Sequence, residues 1–233
     1  MKIDDTLFLI PARGGSKGLP RKNILPLLGK PMIYYAIDAA KDICIEENIC
    51  VSTDDEEIKK TVLEYGLNVP FLRPSKLATD TAGSREVILH ALDYYSIHES
   101  KEFSKICLLQ VTSPLRTSIH IKKLFQLWID ELDMVVSVTE SKSNPYYNLF
   151  EEDRKGNLRK SKAGFYSRRQ DAPKVWQSNG AIYLINSESI RLKELSKFKK
   201  VRKYEMGQIE SVDVDDELDY RMVELILKEK MHQ

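Results

Sequence analysis

A short apolar run that breaks into a glycine-rich, basic loop constrains the fold of this chain more than any other feature. Residues 7–10 (LFLI) have the length and composition of a buried parallel strand. The loop that follows contains Gly14, Gly15, Ser16 and Gly18. Glycines let consecutive backbone N–H groups turn toward one anion. The pattern therefore predicts an anion-binding loop at the end of a strand.

The basic residues of the same stretch indicate which anion this loop binds. Arg13, Lys17, Arg21 and Lys22 place four cations around the glycines, which suits a triphosphate. The spacing matches neither a Walker loop nor the Gly-x-Gly-x-x-Gly of dinucleotide folds. A basic, solvated turn before a helix is the competing interpretation. The strand before the loop and Pro31, which suits a first helical position, argue against it.

The order of the apolar segments predicts an α/β fold with a doubly wound, mostly parallel sheet. Buried strands are predicted at residues 7–10, 48–52, 105–109 and 133–139, with helical periodicity between them. A further strand at 177–185 is expected to begin at a turn made by Asn179 and Gly180. The last helix is expected to begin at about Asp216 and to bury Leu218, Met222, Leu225 and Ile226.

Length and charge limit the possible functions. The 233 residues suffice for one domain over residues 1–233. A net charge of +1 argues against nucleic acid or an anionic membrane as a partner, so anion specificity must come from local clusters. No apolar run approaches the ~20 residues that span a bilayer, and the first five residues lack the pattern of a signal peptide. We therefore expect a cytoplasmic protein.

Residues 141–177 interrupt the α/β pattern. They are polar, contain prolines and glycines, and show no helical period. Because such a segment cannot bury a core of its own, we expect an inserted lobe that lies over the main sheet, a partner subunit, or both. Within it, Arg168 and Arg169 offer two guanidiniums that suit a carboxylate ligand. A surface pair bridging to acidic side chains is the alternative interpretation.

Polar residues also follow the predicted strands, where an open α/β sheet binds its ligands. Gln110 comes directly after the strand at 105–109, so it should point into the same crevice as Arg13. Arg73 and Ser84 flank a polar loop that leads into a helix, and helix N-termini bind anions. An ordinary strand-to-helix turn and simple helix capping are the competing explanations for these two segments.

The segment at 210–219 alternates apolar and acidic residues, as the end of a strand would. In that geometry Asp213 and Asp215 project to one face, where they repel each other unless a counterion lies between them. Mg²⁺ prefers oxygen ligands, often one or two carboxylates together with substrate phosphates. Capping of the last helix would explain Asp215, Asp216 and Glu217 but not Asp213. The pattern therefore favours a metal site.

Several strings together resemble one family. The string ARGGSKGLPRKN at residues 12–23 resembles the signature of the cytidylyltransferases that activate sialic acid and related nonulosonates. The strings RP and LATDTA within 73–82, LQVTSPLR at 109–116, NGAIY at 179–183 and DVD at 213–215 are similar to later family motifs, in the family's order. The resemblance covers residues 7–34, 51–57, 72–84, 106–117, 168–185 and 210–219.

This resemblance implies a fold, an activity and partners. The fold would be Rossmann-like, of the nucleotide-diphospho-sugar transferase type. The activity would be transfer of CMP from CTP to a nonulosonic acid, most simply N-acetylneuraminate, by in-line attack of the anomeric hydroxyl on the α-phosphorus. Pyrophosphate would leave, with Mg²⁺ or another divalent cation as cofactor. Similar enzymes form homodimers in which the inserted lobe covers the neighbouring active site, so a homodimer is expected.

The resemblance and the patterns above give each candidate residue a role. The expected catalytic residues are Arg13, Lys22, Gln110 and Asp213. The expected nucleotide-binding residues are Ala12, Arg13, Gly14, Ser16, Lys17, Lys22, Asn23, Arg73 and Ser84. The expected sugar-binding residues are Gln110, Arg169, Asn179 and Tyr183, and the expected metal ligands are Asp213 and Asp215. None of the four histidines lies in a motif, so no general base is assigned.

Two departures from the family pattern leave the sugar open. Gln177 stands where several sialic members carry an arginine, and Tyr147 stands where some carry a lysine. A CMP-legionaminate synthetase is therefore an alternative, as is a 3-deoxy-manno-octulosonate cytidylyltransferase. An inactive nucleotide-sensing module on the same fold is a third alternative, although retention of Lys22, Asp213 and Asp215 argues against it.

Overall fold

A six-stranded sheet flanked by helices forms the body of the protein. The computed structural model describes residues 3–15, 18–79 and 81–231. The main-chain elements are β1 (Thr6–Pro11), β2 (Pro26–Leu27), β3 (Lys30–Pro31), α1 (Met32–Lys41), β4 (Ile49–Ser52), α2 (Glu56–Glu64), α3 (Ser84–Glu99), β5 (Lys105–Leu109), α4 (Ser118–Phe125), β6 (Met134–Glu140), β7 (Phe150–Glu152), β8 (Leu158–Lys160), β9 (Trp176–Asn186), α5 (Ser187–Leu192), β10 (Val201–Glu205) and α6 (Glu217–Met231).

The sheet order is β10-β6-β9-β5-β1-β4. Strand β1 runs parallel to both β4 and β5, and β10 runs parallel to β6. Strand β9 is antiparallel to its two neighbours, β5 and β6. The prediction of a doubly wound, mostly parallel α/β sheet is therefore confirmed. Strand β10 was not predicted, because its sequence VRKYE lies exposed at the sheet edge and carries no apolar run.

Strand β1 shows how the sheet organises the core. Phe8 and Ile10 face one cluster, built with α1, α2, α4 and α6, while Leu7 and Leu9 face a second cluster, built with α3 and α5. All four side chains are fully buried. Successive residues of a strand point to opposite faces, so an uninterrupted apolar run is what a strand covered on both faces requires.

The turn expected at Asn179 and Gly180 is wrong. Both residues lie inside β9, which begins at Trp176 and pairs with β6 from that residue on. The register shifts between Val136 and Val138, and Gly180 has a φ of 75°, so the chain forms a bulge instead of reversing. Asn179 Oδ1 accepts a hydrogen bond from Ser137 Oγ at 2.6 Å, which holds the bulge against β6.

The last helix begins at Glu217, close to the prediction, but it buries a different face. Val223 is fully buried and Ile226 packs against the core, while Leu218, Met222 and Leu225 are exposed. Tyr220 donates a hydrogen bond from its hydroxyl to the carbonyl of Pro26, which fixes the rotation of the helix on the core. The prediction is therefore confirmed for Ile226 and wrong for the other three residues.

The segment between β6 and β9 is mostly exposed. It carries the antiparallel hairpin of β7 and β8, in which every residue is exposed. The apolar side chains of Phe150, Leu158 and Phe165 are also exposed. Within the described part of the chain, no helix is both long enough and apolar enough to span a bilayer.

Candidate functional site

A cavity of about 570 Å³ lies beyond the carboxyl ends of β1 and β5. This is where an open α/β sheet presents its ligand crevice. The cavity brings together seven of the residues that were expected to bind or act on a substrate, which are Arg13, Lys22, Asn23, Arg73, Ser84, Gln110 and Asp215. Leu77, Val87 and Leu108 also line it. Charged and apolar side chains therefore share one cavity.

The basic loop and the acidic segment meet across this cavity. Lys22 Nζ lies 3.0 Å from Asp215 Oδ1, although the two residues are 193 positions apart in the chain. Gly18 approaches so closely that a Cβ there would lie 2.3 Å from the backbone oxygen of Asp215. The close approach therefore requires glycine at position 18. One wall of the cavity is thus made by the two ends of the chain.

Asp213 is held on the loop that follows β5. Its Oδ1 accepts a hydrogen bond from Ser113 Oγ at 3.3 Å, and the N–H of Val214 donates to the carbonyl of Thr112 at 2.8 Å. The segment belongs to no strand, so the expected strand end is replaced by this tether. Val214 is fully buried between the two aspartates, which preserves the predicted alternation.

The charge on Asp213 is costly in this position. Burial raises the pKa of its carboxyl, and the neighbouring Asp215 raises it further, while Lys22 acts in the opposite direction. The described residues contain no group of three or more His, Cys, Asp or Glu side chains that could hold a metal ion unaided. Two carboxylates completed by substrate phosphates are a usual Mg²⁺ arrangement, and Asp213 with Asp215 fits it.

Arg73 presents buried donors to the cavity. It is 6% exposed, and its backbone N–H donates to the carbonyl of Thr53 at 2.7 Å. Its Nε and Nη2 form no hydrogen bond with the described residues, and Nη2 lies 3.5 Å from Asp54 Oδ1. Burial lowers the pKa of this guanidinium although Asp54 acts in the opposite direction, and the charge of Arg13 nearby lowers it further. Unsatisfied buried donors are costly, so they favour a ligand that accepts hydrogen bonds.

The acidic start of α2 holds the basic loop. The N–H of Gly14 donates to Asp54 Oδ1 at 3.1 Å, and Arg21 Nη1 donates to Asp55 Oδ2 at 2.9 Å. Arg21 also contacts Glu57. Asp55 caps α2 at the same time, as its position before an acidic helix start predicts. The sequence did not reveal the contacts to the loop, because the partners are 40 and 34 positions apart in the chain.

The other loop residues have separate places. Ala12 is fully buried, and its N–H donates to the carbonyl of Ser52 at 2.9 Å. Asn23 Nδ2 donates to the carbonyl of Arg13 at 2.8 Å, which closes the loop on itself. Ser16 and Lys17, both predicted to bind the nucleotide, lie outside the described residues. Their roles stay predictions.

Three of the predicted sugar-binding residues are not among those that line this cavity within a single copy of the chain. Asn179 is 7% exposed, and its Nδ2 donates to Ser211 Oγ at 2.9 Å. The Tyr183 hydroxyl lies 3.1 Å from Ser178 Oγ. Arg169 lines a separate cavity of about 260 Å³ at the base of the inserted segment and donates to the carbonyl of Ser141 at 3.2 Å. Their roles in sugar binding stay predictions.

Comparison with known proteins gives a consistent result. A family model described as cytidylyltransferase matches residues 7–229. The chain is 35% identical over 233 residues to the post-translational flagellin modification protein B of Campylobacter coli, covering 98% of this chain and 97% of that protein. It is 39% identical over 220 residues to an N-acylneuraminate cytidylyltransferase of Streptococcus agalactiae serotype V, covering 92% of this chain and 51% of that protein.

Two further similarities extend this result. The chain is 32% identical over 227 residues to a CMP-N,N'-diacetyllegionaminic acid synthase of Campylobacter jejuni, covering 97% of this chain and 96% of that protein. A solved CMP:2-keto-3-deoxy-manno-octonic acid synthetase complexed with CTP superimposes with a TM-score of 0.71 at 17% identity, covering 97% of this chain and 100% of that one. At that identity the superposition establishes the shared fold. The chain spans about half the length of the streptococcal relative.

Proposed function

The chain belongs to the cytidylyltransferase family and is a CTP-dependent nucleotidyltransferase, and from this premise we propose that it joins CTP to a nonulosonic acid. The products would be the CMP-sugar and pyrophosphate. We propose N-acetylneuraminate as the sugar, because the streptococcal relative with 39% identity is named for N-acylneuraminate. We place the reaction in the cytoplasm.

A second sugar has specific support. The chain matches a legionaminic acid synthase over 97% of its own length and 96% of that protein's length, and it carries Gln177 where several sialic enzymes carry arginine. Loss of a guanidinium changes how a carboxylate or a polar side arm is held. Legionaminate is therefore the second candidate, and both candidates are acidic nonulosonates.

The contact between Lys22 and Asp215 carries the proposal. It joins the basic loop to the acidic segment at one cavity, 3.0 Å apart, so phosphates and a divalent cation would share a single enclosure. Arg13, Lys22 and Arg73 would bind the phosphates and the base side of the nucleotide. Gln110 lines the same cavity at the end of β5 and would contact the sugar.

The chemistry follows from this placement. The anomeric hydroxyl attacks the α-phosphorus in line, and negative charge grows on the phosphoryl oxygens and on the leaving pyrophosphate. Fixed cations aimed at that growing charge supply most of the acceleration. Mg²⁺, held by Asp213 and Asp215, would supply further charge neutralisation when bound. No histidine is assigned as the base, because His90, His98 and His120 do not line the cavity.

A pyrophosphate-release assay tests the function directly. The protein is mixed with CTP and Mg²⁺ and with N-acetylneuraminate, legionaminate or 3-deoxy-manno-octulosonate in separate reactions. We expect release with an acidic nonulosonate, highest with N-acetylneuraminate, and little with Lys22→Met under the same conditions. Highest turnover with legionaminate would reassign the sugar. Absence of release with all three would refute the proposal.

We also propose that the inserted segment packs on a second copy of the chain. Phe150, Leu158 and Phe165 expose apolar surface on it, and such surface commonly marks an interface. Packing there would bring Arg169 toward the cavity of the second copy. We expect a dimer in sedimentation, weakened by Leu158→Ser together with Phe165→Ser and unchanged by the control Ile97→Ser on α3. A monomeric parent protein would contradict this arrangement.

A further inference from the structure

Arg116 is a buried cation that the reaction outlined above does not use. Its side chain is almost fully buried at 2% exposure, and burial lowers its pKa to about 10. No carboxylate of the described residues pairs with it, and its Nε and Nη2 have no hydrogen-bond partner there. A buried, unpaired charge is costly, so an apolar residue would serve packing better at this position.

The two hydrogen bonds of Arg116 lie where two strands separate. Its Nη1 donates to the carbonyl of Gln110 at 2.9 Å and to the carbonyl of Ala181 at 3.1 Å. Strands β5 and β9 pair up to Leu109 and Ile182, and the next residues in that register are Gln110 and Ala181. The guanidinium therefore bonds both strands at the first position where they no longer pair.

Hydrogen bonds on the β6 side of β9 also keep this strand from pairing regularly. Ser137 Oγ accepts from the N–H of Ile182 at 2.8 Å, and Asn179 Oδ1 accepts from Ser137 and from the N–H of Ala181. The bulge that results brings Gly180 beside Asp213, where a Cβ on the glycine would lie 3.8 Å from Oδ2. The backbone of β9 is thus shaped next to a candidate metal ligand.

Arg116 also ends the loop that carries the cavity residues. Its backbone N–H donates to the carbonyl of Ser113 at 3.3 Å. The same loop supplies Gln110 and Thr112 to the cavity wall. Ser113 and the carbonyl of Thr112 hold the segment of Asp213, as described above. The conformation of this one loop therefore sets both the sugar side and the metal side of the cavity.

We propose that Arg116 is a positioning residue whose buried guanidinium keeps β5 and β9 apart just beyond Leu109 and Ile182, where Gln110 lines the cavity. In doing so it directs Gln110 toward the sugar acid and fixes the loop on which Asp213 rests. An apolar residue would leave the two carbonyls without a donor, and the strands would then pair one residue further. This assignment rests on the proposed function for its substrate, but its structural part stands separately.

The first test is kinetic and uses Arg116→Met, Arg116→Gln and the control Arg202→Met. Arg202 also donates to a backbone carbonyl, that of Leu127, but on the exposed edge strand. For Arg116→Met we expect a kcat at least tenfold lower and a sugar KM at least threefold higher, with the KM for CTP within twofold of the parent. Arg116→Gln keeps a donor, so its kcat should lie between that of Arg116→Met and that of the parent. Arg202→Met should match the parent.

The outcomes separate positioning from a merely structural role. Values of kcat and of the sugar KM in Arg116→Met equal to those of the parent would overturn the assignment. An equal rise of the KM for CTP and the KM for the sugar would overturn it as well. If Arg116→Met does not fold, Arg116→Gln decides by the same comparison. Failure of both variants to fold would make Arg116 a stability residue and would also overturn the assignment.

A crystal structure of a folded variant, Arg116→Met or in its place Arg116→Gln, separates this inference from the proposed function. If the parent protein releases no pyrophosphate with any nonulosonate, the proposed function fails, and the structure alone decides the positioning role. We then expect Gln110 and Ala181 to pair directly and the Gln110 side chain to leave the cavity. An unchanged separation of the two strands would overturn the inference.

Discussion

Buried charged side chains at the two ends of the sheet are bonded in opposite ways. At the start of β6, Asp133 is 5% exposed and accepts hydrogen bonds from Ser189 Oγ at 2.8 Å and from the N–H groups of Lys199 and Lys200 at 3.0 Å each. At the carboxyl ends of β4 and β5, Arg73 and Arg116 are about as buried, yet both keep donors without a hydrogen-bond partner among the described residues.

This difference indicates which buried groups stabilise the fold and which serve activity. A fully bonded buried carboxylate stabilises the fold, because every donor and acceptor around it is satisfied. A buried donor without a partner costs stability and is retained where a ligand completes it or where it shapes a site. We therefore expect substitutions at the cavity to affect activity, and substitutions around Asp133 to affect folding.

The largest expected effect is at the cavity end. Lys22→Met should lower kcat/KM by about 30- to 1000-fold, or about 2–4 kcal/mol of transition-state stabilisation, because one fixed cation facing the phosphates is lost. Its melting temperature should stay within a few degrees of the parent, since its partner Asp215 is mostly exposed. Steady-state kinetics and thermal unfolding measure the two quantities.

The matched control for Lys22 is Lys60→Met on α2. Lys60 is 75% exposed and forms a loose ion pair with Glu64 at 3.8 Å, so its loss should leave kcat/KM within twofold of the parent. The distinction between the two ends would fail if Lys22→Met unfolded readily while keeping parental turnover.

The next effect is at the opposite end. Asp133→Asn should lower the free energy of unfolding by about 2 kcal/mol, because the amide cannot accept from all the donors that surround the carboxylate. Lys193 Nζ, 2.7 Å from Asp133 Oδ1, would also lose its ion partner. Urea unfolding measures the change, and kcat/KM of the folded variant should equal that of the parent. A tenfold loss of kcat/KM with unchanged stability would contradict the assignment.

The smallest effect is the pH dependence of that same stabilisation. Burial acts to raise the pKa of Asp133, but hydrogen bonds from Lys193, Ser189 and two backbone N–H groups outweigh it and hold the pKa below its ordinary 3.8. Because the folded-state pKa is the lower one, the stabilisation is present above about pH 4 and is lost as the pH falls below it.

Urea unfolding of the parent and Asp133→Asn at pH 5 and pH 3 tests this dependence. The stability difference between them should shrink by about 1 kcal/mol at the lower pH, because the carboxyl of the unfolded parent takes up a proton at pH 3 that the folded protein does not. A difference that stays constant or grows as the pH falls would show that Asp133 is not ionised in the fold.

The sequence is a good guide wherever a signal is contiguous. The apolar run of β1 and the glycines after it predict a strand and a loop because both depend on neighbouring residues. Gln110 could be placed in the crevice because the carboxyl ends of parallel strands share one edge. The contact between Lys22 and Asp215 could be expected only after the resemblance had assigned Lys22 to the phosphates and Asp215 to the metal.

The failures come from partners that are distant in the chain. Asn179 and Gly180 read as a turn, but Ser137, 42 positions earlier, accommodates them as a bulge within β9. The apolar residues of α6 occupy two adjacent faces. The contacts of Tyr220 with the core determine which of these faces is buried. Arg116 looks like an ordinary surface arginine after a turn, and only the structure shows it almost fully buried.

The most direct test of the account is a crystal structure of the protein with CTP and Mn²⁺ in place of Mg²⁺, using anomalous scattering to locate the metal. We predict the triphosphate in the 570 Å³ cavity, in contact with Arg13 and Lys22, and the metal between it and Asp213 with Asp215. A nucleotide bound outside this cavity, or a metal remote from both aspartates, would contradict the account.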